Sequence, residues 1–259
     1  MKSGPISSNP AASLCERPSA ARADFPEALP VVGVTAFTTI DYPGYLSAVF
    51  YTQGCPWRCR YCHNASLRPM DENPETKLSW EKLSRFLETR RGFLEGVVFC
   101  GGEPTLHPEL PQALEAVRAM GFKAGLHTSG MFPSTLTKIL PHCDWVGMDV
   151  KAPFDHYEKV TMVPNSGRLA EESVRAVVRS AVKHEFRTTF HPDLLSEEDV
   201  AVIGDAIAAM GGRHYALQVF QSRGCEDQRL RGWHGDATYF SRELVWRLNG
   251  LFDTFEIRD

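Results

Sequence analysis

The stretch Leu46-Ser47-Ala48-Val49-Phe50-Tyr51-Thr52-Gln53-Gly54-Cys55-Pro56-Trp57-Arg58-Cys59-Arg60-Tyr61-Cys62-His63-Asn64 runs from a β-prone segment straight into a loop with three cysteines. At spacings of four and three, these thiolates fit around one inorganic centre. Structural zinc normally takes four protein ligands, and an ordinary iron–sulfur site takes four cysteines. The triplet is one short of either. Three thiolates can hold three irons of a cubane and leave the fourth open to a small molecule. The alternatives are a zinc site completed by His63 or a distant cysteine, and a redox-sensing thiol cluster. Against zinc, the loop has no second CxxC, and Cys100, Cys143 and Cys225 stand alone. Cys143 and Cys225 are expected to pack as small hydrophobes. Cys100 ends a strand, and interior packing is expected there rather than a place facing the site.

The strand before the loop is the first of six β-prone runs: Leu46–Thr52, Gly96–Cys100, Phe122–Leu126, Trp145–Val150, Phe186–Phe190 and Tyr215–Phe220. Between most of them the apolar residues take helical spacing. Leu83, Phe86 and Leu87 share one face behind a Ser79 N-cap. Leu110, Ala113, Leu114 and Val117 share another, which Gly121 ends. A third stripe is Val174, Val177, Val178 and Ala181. A fourth is Val200, Ile203, Ile207 and Met210, entered through Ser196–Asp199 and closed by Gly211-Gly212. Strands alternating with helices imply an α/β fold with a parallel sheet. Six units are too few for a full eight-stranded barrel and suit a partial (β/α)6 TIM-type barrel, with chemistry at the C-terminal strand ends.

Residues 1–30 differ in kind, since 16 of them are Ala, Pro or Ser and no hydrophobic period is present. Such a segment buries too little to offset its ordering entropy and is read as a mobile tail, with Cys15 incidental, before a domain spanning 31–259. The 259 residues are 43% hydrophobic and 23% charged, with net charge −4. This excludes collagen-like, coiled-coil and wholly disordered chains. A general nucleic-acid binder is not expected at this charge. No apolar run nears the roughly 18 residues of a membrane span, and no secretory signal is evident. A cytoplasmic address with reduced cysteines follows.

Two other strand ends carry candidate chemistry. In Cys100-Gly101-Gly102-Glu103-Pro104 the glycines permit close backbone approach, and Pro104 keeps Glu103 out of helical geometry. The motif reads either as a plain strand-to-helix turn or as a ligand-facing one. Asp149 and Lys151, two apart on a strand, point the same way. They form either a salt-bridged barrel lip or part of a site.

CxxxCxxC with an aromatic before the third cysteine resembles the radical S-adenosylmethionine (SAM) enzymes. Thr39-Ile40-Asp41-Tyr42-Pro43-Gly44, Phe50–Cys55 and Tyr61-Cys62-His63-Asn64 resemble the glycyl-radical-enzyme activases. With Gly125–Gly130 and Asp144–Lys151, the pattern is most similar to the group activating anaerobic ribonucleoside-triphosphate reductase, over about residues 31–225. The resemblance implies that Cys55, Cys59 and Cys62 bind a [4Fe–4S] cluster whose fourth iron chelates SAM through its amine and carboxylate. It places Gly101, Gly102 and Glu103 against the methionyl amine. Lys151 would balance the SAM carboxylate, Asp149 would bond the ligand or fix the lysine, and Thr128 and Arg187 would complete the contacts, with Tyr61 against the adenine. The alternatives are a surface ion pair for Arg187 and ordinary loop packing for Tyr61. At two positions the chain departs from the pyruvate formate-lyase activases. His127 stands where they carry an aspartate, and Gln221 stands near one of their histidines. Their monovalent-cation site and last-strand SAM contact therefore do not carry over, and His127 is read as a hydrogen-bonding residue.

The implied activity is that of an oxidoreductase. A low-potential electron cleaves SAM, and the 5′-deoxyadenosyl radical takes hydrogen from a glycine Cα of a partner glycyl-radical enzyme. The usual donors are flavodoxin or ferredoxin. Two rivals remain. A radical SAM enzyme acting on a small molecule, such as a deazaguanine-type synthase, is opposed by the Thr39–Gly44 and YCHN segments. A non-catalytic iron–sulfur or zinc protein is the other. The tail, Asp155–Gly167 and the segment after Gly224 are candidate docking surfaces. The Arg- and Gly-rich run Gln221–Trp233 reads either as a surface for an acidic partner or as a solvated loop.

Overall fold

The computed structural model describes residues 26–71 and 75–259; Cys15 and the tail to residue 25 lie outside them. Pro26–Pro30, grouped with the tail by composition, pack onto the body of the fold. Leu29 is buried in the core, and the Pro30 carbonyl accepts from the Gln53 amide at 2.9 Å.

Eight strands form one sheet in chain order: β1 Val31–Thr38, β2 Ser47–Thr52, β3 Gly96–Gly101, β4 Lys123–Thr128, β5 Trp145–Asp149, β6 Lys183–Phe190, β7 His214–Val219 and β8 Thr254–Arg258. β1 is antiparallel to β2. From β2 to β8 every neighbouring pair is parallel. The α/β partial barrel is as expected, with β2 to β7 matching the six β-prone runs. β1 and β8 extend it, giving seven parallel strands and one antiparallel edge. β1 and β8 are partly exposed edges without the fully buried apolar run that marks a central strand.

Helices α1 Trp80–Glu88, α2 Leu110–Ala119, α3 Pro133–Ile139, α4 Glu158–Thr161, α5 Ser166–Arg179, α6 Glu197–Met210 and α7 Arg242–Leu251 connect the parallel strands. Ser79 caps α1 by accepting from the Lys82 amide. Ser196 and Asp199 make a reciprocal capping box at α6, which ends on Gly211 at φ +100°. Leu110, Ala113, Leu114 and Val117 are completely buried on α2. The third stripe is shorter than its spacing implies, because α5 stops at Arg179 and Ala181 takes a left-handed φ of +59°.

The sheet curls enough for distant strands to meet inside it. Tyr42, from the β1–β2 connection, stacks on Trp145 of β5 at 5.2 Å and packs with Val49 and Val98. This apolar group forms the floor. Arg258 of β8 reaches Glu185 of β6 with two hydrogen bonds of 2.8 and 2.7 Å. Among the described residues the sheet order is linear, so β1 and β8 border an open seam.

Candidate active site

The cysteine loop leaves the C-terminal end of β2 and is held by backbone bonds on both sides. The Gly54 amide donates to Leu67 O at 2.8 Å, and the Arg58 and Arg60 amides donate to Thr161 O and Val160 O at 3.0 Å each. Asn64 Nδ2 donates to Gly101 O at 3.3 Å, tying the loop to the next strand end. Cys55, Cys59 and Cys62 all line one cleft. Burial pushes the Cys55 thiol up to about 12 and the Cys59 thiol up to about 11. Metal binding at this loop therefore releases protons. Among the described residues no three His, Cys, Asp or Glu are grouped around a single-ion position. The donor set fits the three-thiolate requirement of a cubane with one open iron.

The glycine pair closes the loop from the side of β3. A Cβ on Gly102 would lie 2.1 Å from Gly54 O, and Gly101 sits at φ +117° with Thr52 backbone atoms 2.5 Å from its notional Cβ. Only glycine allows the two backbones this close. Glu103 follows in extended geometry at φ −136° and is 1% exposed. Its carboxylate accepts from Thr105 N and Oγ1 at 3.1 and 2.6 Å, Thr128 Oγ1 at 2.7 Å, and Ser129 N and Oγ at 2.9 and 2.5 Å. Those five bonds order the turn and the end of β4. Gly101, Gly102, Thr128 and Ser129 line the cleft, whereas the Glu103 side chain does not.

Opposite the cysteines, Asp149 sits between two cations. Lys151 Nζ donates to its Oδ2 at 3.0 Å, while Arg187 Nε and Nη2 donate to its Oδ1 at 3.0 and 2.9 Å. Asp149 and Arg187 are register partners on adjacent strands. Gly147 makes room for the guanidinium: a Cβ there would be 3.1 Å from Arg187 Cζ. Burial opposes the Asp149 charge, but Lys151 and Arg187 outweigh it and hold the carboxyl well below its ordinary range. Burial likewise opposes the Lys151 charge, and Asp149 overrides it, so the ammonium is retained. Lys151 Nζ also lies 5.6 Å from the Tyr61 ring centroid. Two cations against one carboxylate leave a positive surplus, suited to an anionic ligand group.

His127 stands beneath this group. Burial first, then the Arg187 charge, lowers its pKa to about 3, so the ring is neutral. Asp41 O is an acceptor only, which requires a proton on His127 Nε2, 2.8 Å away. Arg187 Nη1 lies against the ring edge, 3.1 Å from Nε2 and 3.4 Å from Nδ1, and with the proton on Nε2 only Nδ1 can accept from it. The imidazole therefore serves as a hydrogen-bonding residue.

One reading changes with the structure. Cys100 lines the cleft instead of packing away from it, and burial pushes its thiol up to about 12. Asn64 and Ser129, which lie inside the sequence motifs without a role of their own, also line the cleft, as do Thr189 and Gln218, which no motif includes. Thr189 and Gln218 share the inward parity of Arg187 and Ala216, the one signal that would have found them. Cys143 and Cys225 are buried as expected. Gln221 lines a groove at the seam, together with Asp41, Gln218, Glu256 and Arg258.

A curled sheet with three cysteines at the end of its first parallel strand is the architecture of the radical SAM proteins. The radical SAM superfamily sequence model matches residues 49–206, and the chain belongs to that family. It is a radical SAM enzyme, and the family uses a [4Fe–4S] cluster and SAM. A Methanocaldococcus jannaschii protein named as a glycyl-radical enzyme activating enzyme is 28% identical over 208 residues, covering 78% of this chain and 84% of that one. The pyruvate formate-lyase-activating enzyme of Clostridium pasteurianum is 31% identical over 175 residues, covering 65% of this chain and 71% of that one. Among solved structures, SuiB of Streptococcus suis bound to its precursor peptide SuiA aligns with a TM-score of 0.62 at 12% identity, covering 82% of this chain and 48% of that one. That likeness shows the fold. No helix among the described residues is long and apolar enough to cross a membrane.

Proposed function

We propose that this protein installs a glycyl radical on a partner enzyme, anaerobic ribonucleoside-triphosphate reductase, with flavodoxin or ferredoxin as its electron source. One observation carries the reading. The cleft holding the three cysteines and the Asp149 ion group shares Asp41, His63, Arg187, Thr189 and Gln218 with the groove at the open seam. A polypeptide strand has a lateral path to the site. The relatives named as activating enzymes support the same reading.

When bound, the cluster supplies an open iron for SAM and the electron that splits its sulfonium into methionine and a 5′-deoxyadenosyl radical. The chain's own residues bind, orient and exclude. Lys151 and Arg187 offer the surplus positive charge to the SAM carboxylate, with Asp149 fixing both cations in place. The backbone at Gly101–Gly102 offers acceptors to the amine, and Tyr61 offers an aromatic face beside Lys151. Glu103 positions Thr128 and Ser129 at the rim. The apolar floor of Tyr42, Trp145, Val49 and Val98 closes the barrel from below, limiting water near a species that would abstract hydrogen unselectively.

The test is anaerobic incubation of the reconstituted protein with SAM, a reductant and the reductase subunit. The expected result is the doublet electron paramagnetic resonance (EPR) signal of a glycyl radical on the reductase. Release of 5′-deoxyadenosine without that signal would overturn the assignment of the partner.

A further inference from the structure

The Arg- and Gly-rich run after β7 is far from the cysteine loop in sequence and in contact with it in the fold. Cys225 Sγ donates to Arg60 O at 3.4 Å, and Gly224 lies so close to His63 that a Cβ would be 2.0 Å from its carbonyl oxygen. Arg60 donates to Asp227 Oδ2 through Nε at 3.1 Å and Nη2 at 3.0 Å, and Arg68 pairs with Glu226. Arg229 shares Asp227. Residues 55–70 and 221–233 thereby form one face with six arginines and two carboxylates. A surplus of four positive charges stands on a chain whose net charge is −4, so the remainder carries −8.

Three of those charges are exposed without a carboxylate partner among the described residues: Arg58, Arg223 and Arg231. Arg58 instead caps the carbonyls of Cys55 and Trp57. The cysteine loop exposes apolar atoms at Pro56 and Met70, the latter 50% exposed, and Met162, 60% exposed, follows Thr161, whose carbonyl accepts from the Arg58 amide. An apolar centre inside a charged rim is the anatomy of a protein interface, and small charged patches suit short-lived redox encounters.

We propose that this face docks an acidic one-electron carrier protein. The inference rests on the reading that the loop holds a reducible cluster. Cleavage of a sulfonium consumes one electron, and among the described residues no second cysteine set stands ready to relay it. The carrier loses that electron and the cluster gains it, with no bond made or broken in the transfer. The cysteine loop exposes Pro56, Arg58 and His63, each next in sequence to a cluster cysteine, which gives an electron a short way in. The seam groove is less suited to an acidic carrier. Its lining sets Asp41, Glu256 and Asp259 against Arg187 and Arg258.

The test compares wild type with the Arg223→Glu/Arg231→Glu double variant, both reconstituted anaerobically and followed by cluster bleaching in stopped flow. Reduced flavodoxin and dithionite serve as alternative reductants. With flavodoxin, the wild-type rate falls as salt is raised, and at low salt the variant is slower by about tenfold or more, since steering by complementary charge acts on the on-rate. Dithionite reduces both equally, iron content is unchanged, and Arg223→Lys/Arg231→Lys restores the flavodoxin rate. Equal flavodoxin rates in wild type and double variant would overturn the docking face while leaving the cluster reading intact. Loss of glycyl-radical formation under dithionite would assign the face to the glycyl partner instead and overturn the proposal. A wild type that shows no iron–sulfur absorbance after reconstitution would remove the underlying reading and the docking face with it.

Discussion

At the floor of the barrel, Tyr42 stacks on Trp145 beside Val49 and Val98. Further along β4 and β5, nearer their C-terminal ends, the inward residues are His127, Asp149 and, just beyond, Lys151. The backbone and pleat are the same at both levels, and only the side chains change, from aromatic and aliphatic to ionic. The floor stabilises by area removed from water and has no stake in pH. The mouth holds one carboxylate and two cations in a poorly solvated space, where each charge depends on its partner and a lost partner leaves an uncompensated charge. His127 joins the two levels. Its ring packs on Trp145 at 5.5 Å, while its nitrogens serve Asp41 and Arg187. The mouth is poised for ligands because the floor carries stability without it.

That contrast can be tested from either end. Cys59→Ala at the mouth should abolish cluster assembly and SAM cleavage while leaving far-UV circular dichroism unchanged; iron assay and 5′-deoxyadenosine release are the readouts. At the floor, Tyr42→Ala should cost about 3–5 kcal/mol in denaturant unfolding, as large-to-small core changes do, while the chain still assembles its cluster at low temperature. Asp149→Asn should cost about 2 kcal/mol, less than the 3–5 typical of a broken buried pair, because the Asp149 side chain keeps 30% of its exposure. The Asp149 carboxyl is held below its ordinary value, so its stabilisation is fully present above about pH 4 and is lost as pH falls further. Unfolding midpoints against pH should show that acid limb in wild type and not in Asp149→Asn.

At neutral pH the smallest effect belongs to His127, whose ring is then largely uncharged in both the folded and the unfolded chain. Its folded pKa of about 3 lies below the unfolded value of about 6.5. As pH drops between those values the unfolded chain takes up a proton that the folded chain refuses, and stability declines. His127→Gln keeps a donor toward Asp41 and should flatten that decline between pH 6.5 and 4. An unchanged slope would place the acid sensitivity elsewhere.

Much of this arrangement is readable from residues alone, wherever local chemistry is sufficient. Ser79, Ser196 and Gly211 cap helices where their types and spacing say they should, and β2 to β7 announce themselves as apolar runs. β1 and β8 lack that signal because each has one free edge and a partly wetted face. The cysteine triplet is local and therefore visible. The direction of the Glu103 carboxylate is not, since it depends on Thr105, Thr128 and Ser129 converging from two segments. Cys100 shares the inward side of β3 with Val98, and that parity becomes informative only once the sheet is known to curl around Tyr42 and Trp145. The contact between Arg60 and Asp227, 167 positions apart, lies beyond any local pattern, and it brings the arginine run against the cysteine loop.

The central claim is that three cysteines leave one iron free for SAM. EPR of the dithionite-reduced, reconstituted protein with and without SAM addresses it most directly. SAM should shift the g-values of a reduced [4Fe–4S] signal, in step with 5′-deoxyadenosine formation. A signal indifferent to SAM, or a colourless protein containing zinc, would contradict it.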